Sequence, residues 1–356
     1  MEAIPSRWTF AGIEPELGIG LIYALGSAAI VVQHRVTDML YFALVAGVLC
    51  LPFCLVESAV AGRALATLLS LYYTVRLVQL HGSWSYFCQQ SIMVRYAHVF
   101  CTFHDIRVRK VLPRAYFDMT SFVDLVRNSF FTVVAVLLLR RYGNASQSLE
   151  GAAISCCFGG CVGLLSLNIM CALLRFLALL TGPFELPRLM DGPAESTSLA
   201  EFWGQRWNTV VQALLKKYIY TPLRARGIGR STASALTFFA SGIGHTMPIF
   251  CGLKDLTLMG AMLAYFVVQF SLLVLQKNMC RHAGLGASFF GWASTMLSVL
   301  LPAPLFVLPA QCLMDRVGSS EVAMAMLLNP TFWRYYATRV VVLLTVIKIG
   351  QRHSVW

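Results

Sequence analysis

Apolar runs of membrane-crossing length recur through all 356 residues, and short basic intervals separate them. A helix needs roughly 20 apolar residues to cross a hydrocarbon core about 30 Å thick, and inside that core every backbone polar group must bond within the protein. Such a chain folds as packed helices. Candidate spans are Leu17–Gln33, Asp38–Val56, Ala59–Leu80, Tyr86–Phe103, Ser121–Leu139, Gly151–Leu180, Thr232–Gly252, Leu256–Leu275, Ala287–Ala310 and Tyr335–Gly350. With 58% hydrophobic and 12% charged residues, the expected fold is all-α: a polytopic transmembrane helical bundle of about eight to ten spans with one interfacial amphipathic helix. It is read as a single domain over 1–356 with a motif-bearing core over 181–275. The first 16 residues lack a cationic stretch leading into a short apolar core, so Leu17–Gln33 reads as a retained span rather than a cleaved signal.

The net charge of +12 would suggest nucleic-acid binding in a soluble protein, but here the bases cluster between spans. Arg107, Arg109, Lys110 and Arg114 form one cluster, Arg206 to Arg230 a second, Lys277 and Arg281 a third, and Lys348 and Arg352 a fourth. If all ten candidates cross, an even number of spans separates every pair of clusters. All four then lie on the cytoplasmic side, as the positive-inside rule requires. Nucleic acid is not an expected partner. The sequon at Asn144 falls on the lumenal side in that arrangement. Arg63, Arg76 and Arg95 interrupt the third and fourth candidates; a charge at mid-membrane costs about 2.5–3.5 kcal/mol on insertion scales, so each must pair, snorkel or face a cavity. The cysteines lie mostly in apolar stretches without histidine at ligand spacing, and read as small hydrophobes rather than a metal site.

The longest polar interval, Thr181 to Ser231, contains a helix signal. Ser198 and Glu201 make an S-x-x-E capping pattern ahead of a periodic apolar run. At 100° per residue, Trp203, Trp207, Val210, Val211 and Leu214 share one face, with Gln205, Asn208, Gln212 and Lys216 opposite. One helix ending near Pro222 is expected, lying at the membrane interface or dipping into the bundle.

His245 lies 37 positions after Asn208, in an apolar span, with Gly242 and Gly244 before it and Pro248 after. Glycine and proline loosen the backbone of a span, which is tolerated where protein or a cavity satisfies it. The ring is expected to be neutral and able to accept a proton, although a histidine that only bonds between helices is an equally ordinary occupant. No acidic residue lies between Phe202 and Lys254, and the chain has no G-x-S-x-G, H-E-x-x-H, P-loop or dinucleotide-binding string. A base without an evident protein nucleophile suits direct transfer to a substrate hydroxyl.

The string FWGQRWN at Phe202 to Asn208, followed by an intramembrane histidine in a small-residue span, resembles the membrane-bound O-acyltransferase superfamily and most closely its wax synthase branch. That branch shows F-W-G-R-R-W-N preceded by S-L and followed by S-G-x-x-H. Ser198, Leu199, Phe202, Trp203, Gly204, Arg206, Trp207, Asn208, Ser241, Gly242 and His245 match; Gln205 replaces an arginine, and Thr246 stands where glutamate is frequent. The resemblance implies transfer of a fatty chain from acyl-CoA, a co-substrate, to a long-chain alcohol, with no further cofactor and no metal. Under it His245 is the general base and Asn208 an amide donor to the developing oxyanion. Trp203 and Trp207 would wall the acyl passage or anchor the helix, and Arg206, Lys216 and Lys217 would meet coenzyme A phosphates. It also implies the endoplasmic reticulum as the host membrane, with membrane lipids as neighbours. Diacylglycerol, a sterol or a hydroxylated secondary metabolite are alternative acceptors for the same chemistry. A transporter or lipid-binding protein, with Arg63, Arg76, Arg95 and His245 lining a path, is the alternative of another class; no related halves are visible.

Overall fold

The computed structural model describes residues 14–32, 38–55, 60–96, 98–99, 107–108, 119–142, 148–181, 184–185, 188–283, 289–313 and 320–352. Readings that concern 1–13, Arg109, Lys110, Arg114 and the Asn144 sequon lie outside them. The regular structure of the described residues is helical apart from a two-residue antiparallel pair, β1 (Arg107–Val108) with β2 (Phe184–Glu185). It divides into two compact units, one of residues 1–102 and 247–254, the other of 103–246 and 255–356.

The first unit holds α1 (Pro15–Val32), α2 (Asp38–Cys50), α3 (Val60–Gly82), α4 (Trp84–Phe87) and α5 (Ile92–Tyr96). Ile22, Ile30, Tyr41, Val48 and Leu77 pack its core. The three arginines are paired there, as their insertion cost demands. Arg63 donates to the Gly252 carbonyl at 2.6 Å; Arg76 donates to the His98 carbonyl and to Gln79 Oε1. Arg95 donates to the carbonyls of Phe87 and Cys88 while lying over the Trp84 ring. That last arrangement corrects the fourth candidate span. Gln89, Gln90 and Ser91 break the helix, and Arg95 folds α5 back onto the carbonyl end of α4, so Tyr86–Phe103 is not one crossing helix. All four basic clusters follow this candidate, so the even number of candidate spans between any two of them does not depend on it.

The second unit holds α6 (Met119–Tyr142), α7 (Leu149–Thr181), α8 (Leu199–Glu201), α9 (Thr209–Leu215), α10 (Thr221–Ala225), most of α11 (Arg230–Leu253), α12 (Leu256–Ala283), α13 (Phe289–Leu300), α14 (Pro304–Leu313), α15 (Ser320–Leu328) and α16 (Pro330–Arg352). Five stretches are long and apolar enough to cross a membrane: Ser121–Leu138, Leu149–Leu173, Arg230–Leu253, Leu256–Met279 and Phe289–Leu313. Leu17–Val32 and Asp38–Cys54 are shorter apolar helices, whereas α3 and α16 are long but carry charges within them. On α6, Phe122, Val126, Phe130, Val133 and Leu137 form an exposed apolar stripe at helical spacing, the surface a lipid-facing helix presents. Thr132 and Thr237 donate their hydroxyls back to the Asn128 and Ala233 carbonyls one turn earlier on their own helices, which satisfies these two polar groups within the span. This is an integral membrane protein of all-α construction.

Gly242 of α11 lies close against α12, where an added Cβ would lie 2.8 Å from Leu263 Cδ1 and 3.2 Å from Phe266 Cβ. At Gly244, one turn-half away, a Cβ would meet nothing within 4 Å. Gly242→Val is therefore expected to cost about 1–3 kcal/mol through overpacking and Gly244→Val much less, read as midpoints of thermal unfolding in detergent.

Candidate functional site

Ser198 opens α8 by accepting from the Glu201 N–H at 3.1 Å, and Glu201 reaches back to the Thr197 N–H at 2.9 Å, a capping pair displaced by one residue from the expected form. The helix then widens into a π turn over Phe202–Arg206, closed by the Trp207 N–H on the Phe202 carbonyl at 2.8 Å. Here the expectation of one helix running to Pro222 is corrected. Asn208 adopts the left-handed conformation, φ 42 and ψ 63, and breaks the chain's path. Its Oδ1 accepts from the Val211 N–H at 3.1 Å and so starts α9. A second π turn, Lys216–Tyr220, leads into α10, which carries Pro222 in its first turn where no N–H is required. Gly227, at φ 83, ends this stretch.

Arg206 holds the break in shape. Its Nε donates to Glu201 at 2.7 Å, and its Nη1 donates to Glu195 at 3.0 Å and to the carbonyls of Asp191 and Gly192. Its own carbonyl accepts from the Asp191 N–H. Burial pushes the Glu201 carboxyl up, but the Thr197 N–H, the Arg206 hydrogen bond and the Arg206 charge outweigh it and hold Glu201 below the usual carboxylate range. Arg206 is thus engaged by protein groups on two of its three nitrogens and acts as a clamp on this segment. Lys216 is exposed and Lys217 lies over the Tyr218 ring.

The motif segment docks against α12 and α13 through polar groups spaced seven residues apart on α12. Gln269, wholly buried, accepts from the Trp203 indole N–H at 3.2 Å and donates to the Ser298 carbonyl at 2.9 Å. Gln276 accepts from the Leu199 N–H at 2.6 Å and donates to Ser294 and Thr295. Trp292 donates to the Ala194 carbonyl. Of the two placements expected for this segment, at the interface or dipping into the bundle, these bonds favour the second. Trp203 also packs on Trp207 and Phe238, and edge-on to Tyr265 at 6.4 Å.

Tyr265 joins the motif to the histidine. Its ring lies 5.5 Å from Phe306 and 5.6 Å from Phe266, and these two flank the His245 ring at 5.5 and 5.1 Å. His245 is half-buried, and its Nδ1 lies 2.8 Å from the Ser241 carbonyl one turn back. A carbonyl can only accept, so a neutral ring making this bond carries its proton on Nδ1 and leaves the Nε2 lone pair open. Nε2 has no hydrogen-bond partner among the described residues. Thr246 is buried and bonds to the Ile243 carbonyl.

Residues 186–268, which include the clamp, both tryptophans, Asn208, Lys216 and His245, match the model of the membrane bound O-acyl transferase family. The chain is similar to two proteins of Arabidopsis thaliana, probable long-chain-alcohol O-fatty-acyltransferase 7 and probable long-chain-alcohol O-fatty-acyltransferase 3. The first is 30% identical over 149 residues, 40% of this chain and 42% of that protein; the second is 34% identical over 125 residues, 33% and 36%. It is also similar to diacylglycerol O-acyltransferase 1 of Dictyostelium discoideum, 35% identical over 115 residues, 32% of this chain and 17% of that protein. The chain thus spans about two fifths or less of the length of these relatives.

Within the matched segment the structure links Trp203 to His245 through aromatic rings and gives Asn208 a structural duty; Asn208 and His245 make no hydrogen bond to each other. Tyr265, Phe266, Phe306, Gln269 and Gln276 are the participants that sequence reasoning missed. The signal existed: Tyr265, Gln269 and Gln276 lie along one face of an otherwise apolar span. Gln269→Leu leaves the Trp203 N–H without its acceptor and is expected to cost about 1–3 kcal/mol, measured by thermal unfolding. Because the Glu201 pKa is depressed on folding, its contribution is complete above the unfolded value of about 4.3 and disappears as pH falls through the lower folded value. Hydrogen exchange at the 191–209 amides should accelerate over that acid range, and Glu201→Gln should flatten the response.

Proposed function

We propose that this protein is an acyl-CoA-dependent O-acyltransferase that esterifies a long-chain alcohol to form a wax ester in the endoplasmic reticulum membrane. The single observation that carries the reading is His245: an imidazole with Nδ1 bound to a carbonyl, Nε2 open, and a wall of aromatic rings leading to the Trp203 motif. In the reaction Nε2 accepts the proton of the alcohol, whose oxygen forms the new bond to the thioester carbonyl carbon. As the carbon–sulfur bond breaks, the imidazolium returns its proton to the departing coenzyme A sulfur. General-base help of this kind contributes about 10² to 10⁴ in rate. The apolar surroundings keep water from the thioester. The Asn208 Nδ2 is the amide donor for the acyl oxygen, and exposed Lys216 and Lys217 meet coenzyme A phosphates.

The relatives' printed activities support the chemistry, and the diacylglycerol enzyme among them favours a second reading in which the acceptor is diacylglycerol. A transporter is less well supported, because Arg63, Arg76 and Arg95 are each bonded to carbonyls or an amide within the first unit rather than aligned as a path.

Purified protein supplied with labelled acyl-CoA and a panel of acceptors should release coenzyme A and form ester, with long-chain alcohols preferred over diacylglycerol. Membranes bearing folded His245→Ala should lose about 10²-fold or more; wild-type turnover by that variant would remove the imidazole from the mechanism. Asn208→Gly keeps the left-handed backbone and forfeits only a few tenths of a kcal/mol of capping. Its thermal midpoint should stay near wild type while ester formation falls, which separates the amide's chemistry from its capping duty.

A further inference from the structure

Three guanidinium groups converge on one carboxylate where α6 and α7 meet. Asp124 Oδ1 accepts from Arg127 Nη2 at 2.9 Å, while Asp124 Oδ2 lies 3.3 Å from Arg188 Nε and 3.8 Å from Arg175 Nη1. The carboxylate and Arg175 are largely buried, at 14% and 13% side-chain exposure, whereas Arg127 and Arg188 are 38% and 45% exposed. Even with Arg175 set aside, two half-exposed cations share a single anion. Among the described residues Arg127 Nε and Nη1 and both Nη nitrogens of Arg188 have no partner. One bidentate pair would satisfy Asp124, so gathering further like charges around it incurs repulsion that a second anion would relieve.

The location selects the anion. Asp124 is the fourth residue of the Ser121–Leu138 span and Arg175 follows the end of Leu149–Leu173 by two residues, which puts the cluster at headgroup depth. Phosphate esters lie at that depth, and the planar arginine fork matches their oxygens. The cluster is also stitched to the acyltransferase motif: the Arg188 carbonyl accepts from Thr209 Oγ1 at 2.7 Å and the Leu189 carbonyl from the Thr209 N–H at 2.9 Å, immediately after Asn208. Leu189 and Val210 pack with Cys171 of α7 beneath it.

We propose that Arg127, Arg175 and Arg188, held in position by Asp124, bind a phosphate-ester group at the rim of the membrane. Two sources share this chemistry, a coenzyme A phosphate and the headgroup of an anionic phospholipid. The first deepens the proposed acyl-donor reading and rests on it; the second stands without it.

The test uses the full chain in phosphatidylcholine nanodiscs, titrated with coenzyme A and, separately, with dioctanoyl phosphatidic acid. Arg127→Gln combined with Arg188→Gln should weaken one probe or both by about tenfold or more, the loss expected from charge-assisted bonds. Loss for coenzyme A assigns the donor, and loss for phosphatidic acid assigns the headgroup. Unchanged binding of both probes by the folded double variant overturns the site. If the double variant fails to fold, Arg188→Gln alone carries the test, since that side chain is exposed and its backbone carbonyl still bonds Thr209. Arginine-dependent binding by a wild-type protein that releases no coenzyme A from acyl-CoA would retain the site and reject the acyl-transfer reading.

Discussion

An indole N–H brought into an apolar interior must find an acceptor inside the protein, and the bond from Trp203 to Gln269 meets that need for the whole motif segment. Gln269 is wholly buried, and its amide faces Trp203 with oxygen and Ser298 with nitrogen, tying the segment, α12 and α13 together. Two turns along, Gln276 repeats the device on the Leu199 N–H. With these bonds in place, Trp203 meets Tyr265, Tyr265 meets Phe306 and Phe266, and the His245 ring acquires its walls. Position along the chain matters less to this site than which polar groups α12 carries.

The same rule governs charges. Arg63, Arg76 and Arg95 bind carbonyls or an amide, Arg206 binds two carboxylates and two carbonyls, and Asp124 gathers three guanidiniums. In each of the first four cases the partner is at hand in the same unit. Asp124 is different because its cations outnumber it, and that imbalance is what separates a site from a staple.

Much of this was legible in the sequence, and the gaps have physical causes. Apolar length and composition suffice to recognise α6, α7, α11, α12 and the α13–α14 stretch, because hydropathy reports solvent preference directly. Hydropathy does not register that Arg95 turns back onto Phe87 and Cys88, so Tyr86–Phe103 read as a span. The helix start at Ser198 was readable because its partner Glu201 is three residues away; the break at Asn208 was not, since helical periodicity continues through a residue that has left the helix. The clamp on Arg206 was not readable because Asp191 to Glu195, which bond it, belong to an irregular stretch whose return path no pattern encodes. His245 was conspicuous as a lone imidazole in an apolar span, but its tautomer follows from a distance to Ser241 that only coordinates supply.

The anchoring of that ring by its own helix has a further meaning for how a proton travels. Nδ1–H points at the Ser241 carbonyl whether or not the opposite nitrogen is protonated, so charging the ring strengthens the tether rather than breaking it. The imidazole has no reason to flip during a cycle. In the proposed reaction the nitrogen that collects a hydrogen is then the one that surrenders it, and both substrates would have to reach the same Nε2 edge of the ring.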